Sequence, residues 1–184
     1  MEAPATQMLC RSCGLCCDGT LFGKVPLSAA DSQLPLQAAG IEIQRAETET
    51  FFKLPCAAYQ NKCCQVYRDR PASCRNYRCL LLKNYESGAV SWAEAQQKIT
   101  RAVALIAALN GSVQRADPAM MRASLFDLSR LLPEAAEMSA QPELRKKYGP
   151  LMLQIAALSA YLQTHFQPKP EAPPQGISSP KHPS

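Results

Sequence analysis

Apolar residues recur at steps of three and four along Trp92, Ala95, Ile99, Val103, Ile106 and Leu109, the spacing of one face of an α-helix. Ser91 precedes the run and Glu94 follows three residues later, a capping-box pairing that predicts where this helix starts. Asn110-Gly111 predicts where it stops. A second helix is predicted from Asp117-Pro118, a cap followed by proline in the first turn, with Met121, Leu125, Leu128 and Leu132 buried. A third is predicted over 150–166, with Leu151, Ile155, Leu158 and Leu162 on one side. Residues 143–148 read as a preceding turn, closed by Gly149-Pro150. Residues 91–166 are thus a helical region whose stripes form a packed core.

The pattern over 8–85 is different and loop-rich. A short helix is predicted over 28–39, with Ser28 as N-cap, Asp31 three residues on and Pro35 limiting its length. Residues 48–54, rich in phenylalanine and threonine, predict a strand. Its expected hairpin partner is 64–67, across a turn at 60–62. Arg70-Pro71 breaks regular structure, and 72–83 predicts a further helix. From 167 to 184 prolines dominate and apolar side chains almost vanish, so this tail is expected to be disordered. The fold class that follows is mainly α: a loop-rich cysteine module with a short β-hairpin, packed on a C-terminal helical bundle.

Composition narrows the class. At 184 residues and 47% hydrophobic, the chain can bury one sizeable core. The net charge of +5 is spread evenly along it, with no basic arm, which argues against nucleic acid as a partner. The start carries no secretory pattern, and the longest apolar-rich stretch, 151–162, is too short for a bilayer, which takes about 20 residues. No membrane partner is expected, and the chain reads as cytoplasmic. Thiols stay reduced there, so clustered cysteines point to metal or catalysis instead of disulfides.

Nine cysteines are present, an odd number, and all lie between Cys10 and Cys79, while both histidines lie in the last twenty positions. Any metal site among them is therefore essentially all thiolate. "LCRSCGLCC" places Cys10, Cys13 and Cys16 at the Cys-x2-Cys spacing that lets two sulfurs reach one ion from a tight turn. It resembles the opening of a ferredoxin run but departs at the fourth position, where Cys17 follows directly. Adjacent Cα atoms stand about 3.8 Å apart, and extended neighbours point opposite ways. Cys16 and Cys17 therefore serve two sites more readily than one, and Cys63-Cys64 repeats the situation. Cys56, Cys64, Cys74 and Cys79 bring the total to eight, which suits two four-thiolate sites; Cys63 is the spare, or replaces Cys64. Arg68, Arg70, Arg75 and Arg78 lie nearby and could offset thiolate charge or simply be solvated. A thiol nucleophile lacks a histidine base nearby in sequence.

"CRSCGLCCDGTLF" and "LPCAAYQNKCCQVYRDRPASCRNYRC" together resemble the two signatures of the YkgJ-type cysteine-cluster proteins, which are described as zinc- or iron-chelating. The resemblance covers about 8–85. It implies Cys10, Cys13, Cys16, Cys17, Cys56, Cys64, Cys74 and Cys79 as the ligand set. Tyr67, Arg70, Pro71 and Arg75 would be its frame, with Arg70 and Arg75 beside the cofactor. It also implies bacterial origin and the binding of zinc or iron, and the clustered thiols themselves leave an iron–sulfur cluster open. It leaves Cys63 against Cys64 open and implies no settled activity. The expected function is metal-thiolate binding in a structural or metal-handling role. The alternatives are an iron–sulfur redox component or protein-modifying enzyme, and a metal-stabilised adaptor for an unknown protein partner.

Overall fold

The computed structural model describes residues 5–167, so the proline-rich tail beyond Gln167, His182 included, lies outside the described residues. The helices are α1 (Ala5–Cys13), α2 (Leu34–Ala38), α3 (Ala72–Asn76), α4 (Leu80–Glu86), α5 (Trp92–Ala116), α6 (Leu125–Leu131), α7 (Ala135–Ala140) and α8 (Pro142–His165). The strands are β1 (Lys24–Leu27), β2 (Ile43–Arg45), β3 (Thr50–Lys53), β4 (Tyr59–Gln60) and β5 (Cys63–Cys64). The chain is mainly α, with small antiparallel sheets in its cysteine-rich part and a long helical region after them, as its pattern predicts.

The capping box at Ser91 and Glu94 is formed, but α5 does not stop at Asn110-Gly111. Leu109 and Val113, 2% and 1% exposed, flank that pair on the buried face. Burying each contributes about 1.5–3 kcal/mol, more than the roughly 1 kcal/mol that a helical glycine costs. The helix ends instead at Asp117, which is extended (ψ 98) because the ring of Pro118 disfavours helical backbone in the residue before it. The buried stripe runs through Ala95, Ile99 and Ala102, leaving Val103 exposed. Pro118–Arg122 is a 3-10 turn, whose tighter winding buries Met120 and turns Met121 outward, contrary to expectation. Ser124 then caps α6.

Gly149-Pro150 does not break α8 either. An interior proline costs about 3 kcal/mol. Tyr148, Leu151, Ile155, Leu158 and Leu162 are all buried on one face across it, and together they outweigh that cost. α8 packs antiparallel on α5, and the Tyr161 hydroxyl near its end donates to the Lys98 carbonyl near the start of α5 at 3.2 Å.

The strand expected over 48–54 exists as β3, with different partners. It is the centre of a three-stranded sheet ordered β1-β3-β2, pairing Val25 and Ile43 with Phe52. β1 carries Pro26, which a strand tolerates at a sheet edge, and that proline hid it in the sequence. Residues 63–64 pair instead with Tyr59–Gln60 in a tight hairpin. Its two turn residues, Asn61 and Lys62, both have positive φ, as a two-residue turn of this kind requires. The helix expected over 28–39 shrinks to α2, because Pro35 suits a first helical turn and Asp31 bonds back to Ser28 to close a separate loop.

Two apolar cores result. The larger joins α5, α8 and the segments around them to Leu9, Leu15, Leu21, Leu81 and Leu82 from the cysteine-rich part. The smaller holds Val25, Leu36, Ile41, Phe52, Leu54, Ala58 and Val66 around the three-stranded sheet. Phe22 packs against both.

Candidate metal centres

Cys10 and Cys13 are three residues apart on α1, hence on one face of it. The helix ends at Gly14, whose φ of +72° favours glycine, and whose carbonyl accepts from the Cys17 N–H at 2.8 Å and the Asp18 N–H at 3.1 Å. That turn presents Cys16 and Cys17 in succession. The Cys17 carbonyl accepts from the Cys56 N–H at 2.8 Å, which ties the first cysteine motif to the second. The helix expected over 72–83 is divided at Tyr77 and Cys79, both extended. The division lets Cys74 stay on α3 while Cys79 caps α4, its Sγ accepting from the Leu82 N–H at 3.4 Å.

Eight thiols, those of Cys10, Cys13, Cys16, Cys17, Cys56, Cys64, Cys74 and Cys79, line one cavity of about 350 Å³. Cys63 is not among its walls; its Sγ lies 4.0 Å from the Cys64 carbonyl oxygen. Packing divides six of the eight. Cys13, Cys16 and Cys79 rest against the larger core, and Cys56, Cys64 and Cys74 against the smaller one. The electrostatic neighbourhoods follow a similar line. Cys16 feels Cys13 and Cys79 most, then Cys17 and Cys10, whereas the thiols that Cys17 feels are Cys56, Cys64 and Cys74. Among the described residues, no three His, Cys, Asp or Glu side chains already converge on one point as metal ligands would. The cavity is thus walled by cysteines of both cores, with Cys16 against the larger core and Cys17 beside the thiols of the smaller one.

The backbone around the sulfurs suits thiolate. The backbone at Leu15, Ala58, Val66 and Leu81, in each case two positions on, acts to lower the thiols of Cys13, Cys56, Cys64 and Cys79. Such donors favour the ionised sulfur that a metal binds. Arg70 lies close enough to lower the Cys10, Cys64 and Cys74 thiols, so it faces both neighbourhoods. It is held by its Nε donating to the Tyr67 carbonyl at 3.0 Å and by stacking 3.6 Å over the Tyr67 ring. Arg75 is engaged elsewhere, donating to the Arg70 carbonyl and lying 3.9 Å from Asp31. Arg78 stands beside Cys10 and pairs with Glu86. Tyr59 and Tyr77 also wall the cavity, Tyr77 edge-on to Phe22 at 4.9 Å. No spacing in the sequence marks Tyr59, while Tyr77 falls at an aromatic position between Cys74 and Cys79 of the second family signature.

Gly14 is a sharp test of this arrangement. A Cβ there would stand 2.0 Å from the Tyr59 hydroxyl oxygen, and the positive φ would be strained as well. Gly14→Ala is expected to displace Tyr59 or the Cys13–Cys17 turn and to lower metal content at both thiol groups. Metal analysis of the purified variant checks this; wild-type content would refute the close approach.

Burial, and in most cases the proximity of other thiols, pushes all eight above the ordinary value of 9.0: Cys13 and Cys17 to about 12, Cys74 to about 11. The folded metal-free protein therefore keeps protons that the unfolded chain releases near 9. The stability these thiols contribute is whole below that pH and is lost as pH rises toward the folded-state values. Thermal melts of metal-free protein under reductant should show Tm falling from about pH 9 upward. A Tm that stays level to about pH 11 would contradict it.

The chain is mainly α, and eight cysteines line one cavity with no histidine among them. Residues 9–100, half of the chain, match the CxxCxxCC family, whose domain is described as zinc- or iron-chelating, and the protein belongs to that family. No curated protein and no solved structure matches it. No helix among the described residues is long and apolar enough to cross a membrane.

Proposed function

We propose that this protein holds zinc or iron at two all-thiolate centres, in a structural or metal-handling role. Cys10, Cys13, Cys16 and Cys79 would be one ligand set, and Cys17, Cys56, Cys64 and Cys74 the other. The observation that supports the reading is that Cys16 packs with Cys13 and Cys79 on the larger core, whereas the thiols acting on Cys17 are Cys56, Cys64 and Cys74, all three packed on the smaller core. Four thiolates suit the tetrahedral preference of zinc and the ligand set of an iron–sulfur cluster. Bound to a divalent ion they leave a net charge of −2, which Arg70 and Arg78 lie near enough to offset. All nine cysteines are free thiols, which suits a reducing cytoplasm.

Elemental analysis of anaerobically purified protein, joined to counting of alkylated thiols, tests this. Zinc or iron should be present, and alkylation should proceed quickly at Cys63 and slowly at the other eight until a chelator is added. Colourless protein with zinc, or brown protein with iron and sulfide, identifies the metal. Metal-free protein that cannot be loaded, with all nine thiols equally reactive, would refute the reading.

The same logic separates the second doublet. Cys64 lines the cavity and Cys63 does not. Cys64→Ser is expected to lose about half of the bound metal, because serine lacks the soft thiolate, whereas Cys63→Ser keeps nearly all of it. Metal counted per chain decides, and the reverse result would shift the ligand by one residue.

A further inference from the structure

Asp31 lies in the loop between β1 and α2, which carries no cysteine, and its side chain is only 3% exposed. A buried carboxylate is costly unless donors surround it, and here they do. Oδ2 accepts from the Ser28 N–H and the Ser28 hydroxyl, each at 2.8 Å, and Oδ1 accepts from the Ala72 N–H at 2.8 Å across 41 residues of sequence. The Arg75 guanidinium lies 3.9 Å from the same oxygen. Burial alone would raise this carboxyl, but the donors and Arg75 outweigh it and hold it below its ordinary value, so it stays ionised at neutral pH.

Ala72 opens α3, the five-residue helix that carries Cys74. A helix that short does not hold its own shape, and its N-cap, Pro71, offers no side-chain acceptor. Its placement comes from outside, through Asp31 at Ala72 and through the Ser73 hydroxyl, which donates to the Pro26 carbonyl at 2.6 Å. Both ties fall within two residues of Cys74, and both reach into the β1 side of the small sheet.

We propose that Asp31 is a positioning residue for the second thiol set, fixing α3 so that the Cys74 sulfur faces Cys17, Cys56 and Cys64. This rests on the two-centre reading above. Partners that orient metal ligands in this way are worth about 10- to 100-fold in metal affinity.

The test uses full-length, metal-loaded protein and follows alkylation of each cysteine by peptide mass spectrometry in the presence of a chelator. In Asp31→Ala, alkylation of Cys56, Cys64 and Cys74 should accelerate about 10- to 100-fold while Cys10, Cys13 and Cys79 keep the wild-type rate. Asp31→Asn keeps an acceptor for the Ala72 N–H and should lie between, and it serves alone if the alanine variant does not fold. Ser124→Ala removes the α6 cap, a general loss of about 1 kcal/mol, and should accelerate neither set selectively. Unchanged rates in both Asp31 variants, or equal acceleration of both sets, would overturn the positioning role and leave the two-centre reading standing. Wild-type protein in which no thiol is protected would instead refute the two-centre reading itself.

Discussion

Cys16→Ser and Cys17→Ser, one residue apart, should each remove about half of the bound metal, and from different places. The expectation follows from the turn at Gly14, which presents the two thiols in succession. Cys16 packs with Cys13 and Cys79 on the larger core, whereas Cys17 neighbours Cys56, Cys64 and Cys74. Serine keeps the size of the side chain and removes the soft donor, so local folding is little disturbed while one set drops to three ligands. In cobalt-substituted protein, each variant should lose one part of the thiolate charge-transfer spectrum, the two losses should sum to the wild-type spectrum, and the double variant should lose nearly all of it. Alkylation identifies the emptied set: Cys10, Cys13 and Cys79 become reactive in Cys16→Ser, and Cys56, Cys64 and Cys74 in Cys17→Ser. Identical footprints from the two variants would mean that the doublet belongs to one centre, and the two-centre reading would fail with it.

The eight thiols that share the cavity were legible in the sequence because cysteine spacing is a local signal, and the adjacency of Cys16 and Cys17 forces a geometric consequence. The partition was not legible. It depends on Cys79 leaving the chain's second cysteine cluster to sit with the first, and that follows from the break at Tyr77, where an extended backbone interrupts what reads as one helix. The helical stripes Ala95–Ile99 and Leu151–Leu162 were readable because burial follows a fixed period. Helix ends at Asn110-Gly111 and Gly149-Pro150 were misread because local breaker signals, worth about 1–3 kcal/mol, lose to several buried side chains on the far side. The three-stranded sheet was mostly hidden. Its strands are three or four residues long, its edge carries a proline, and its partners are distant in sequence. Asp31 was visible only as the residue three beyond a Ser28 N-cap; its tie to Ala72 is a product of tertiary structure.

Stripping the metal should split the molecule within the cysteine-rich part and not at its end. The sheet side has seven buried apolar residues and strands of three or four residues, too little to stabilise it without help. In modules of this size, metal-ligand free energy is folding free energy. α1 and α4 differ although they carry Cys10, Cys13 and, at the α4 cap, Cys79. Leu9, Leu81 and Leu82 anchor them in the larger core with α5 and α8. The Leu80 N–H also donates to the Phe166 carbonyl at 2.9 Å, and Gln96 donates to the Ser12 hydroxyl at 3.2 Å. Hydrogen exchange on chelated, reduced protein should therefore show β1, β2 and β3 exchanging orders of magnitude faster than in loaded protein, with α5 and α8 changing little and α4 following α5. Restoring zinc or iron should restore protection in the sheet. Sheet amides that remain protected in verified metal-free protein would show that the small core suffices alone. Loss of protection in α5 and α8 together with the sheet would show that the two cores unfold as one unit.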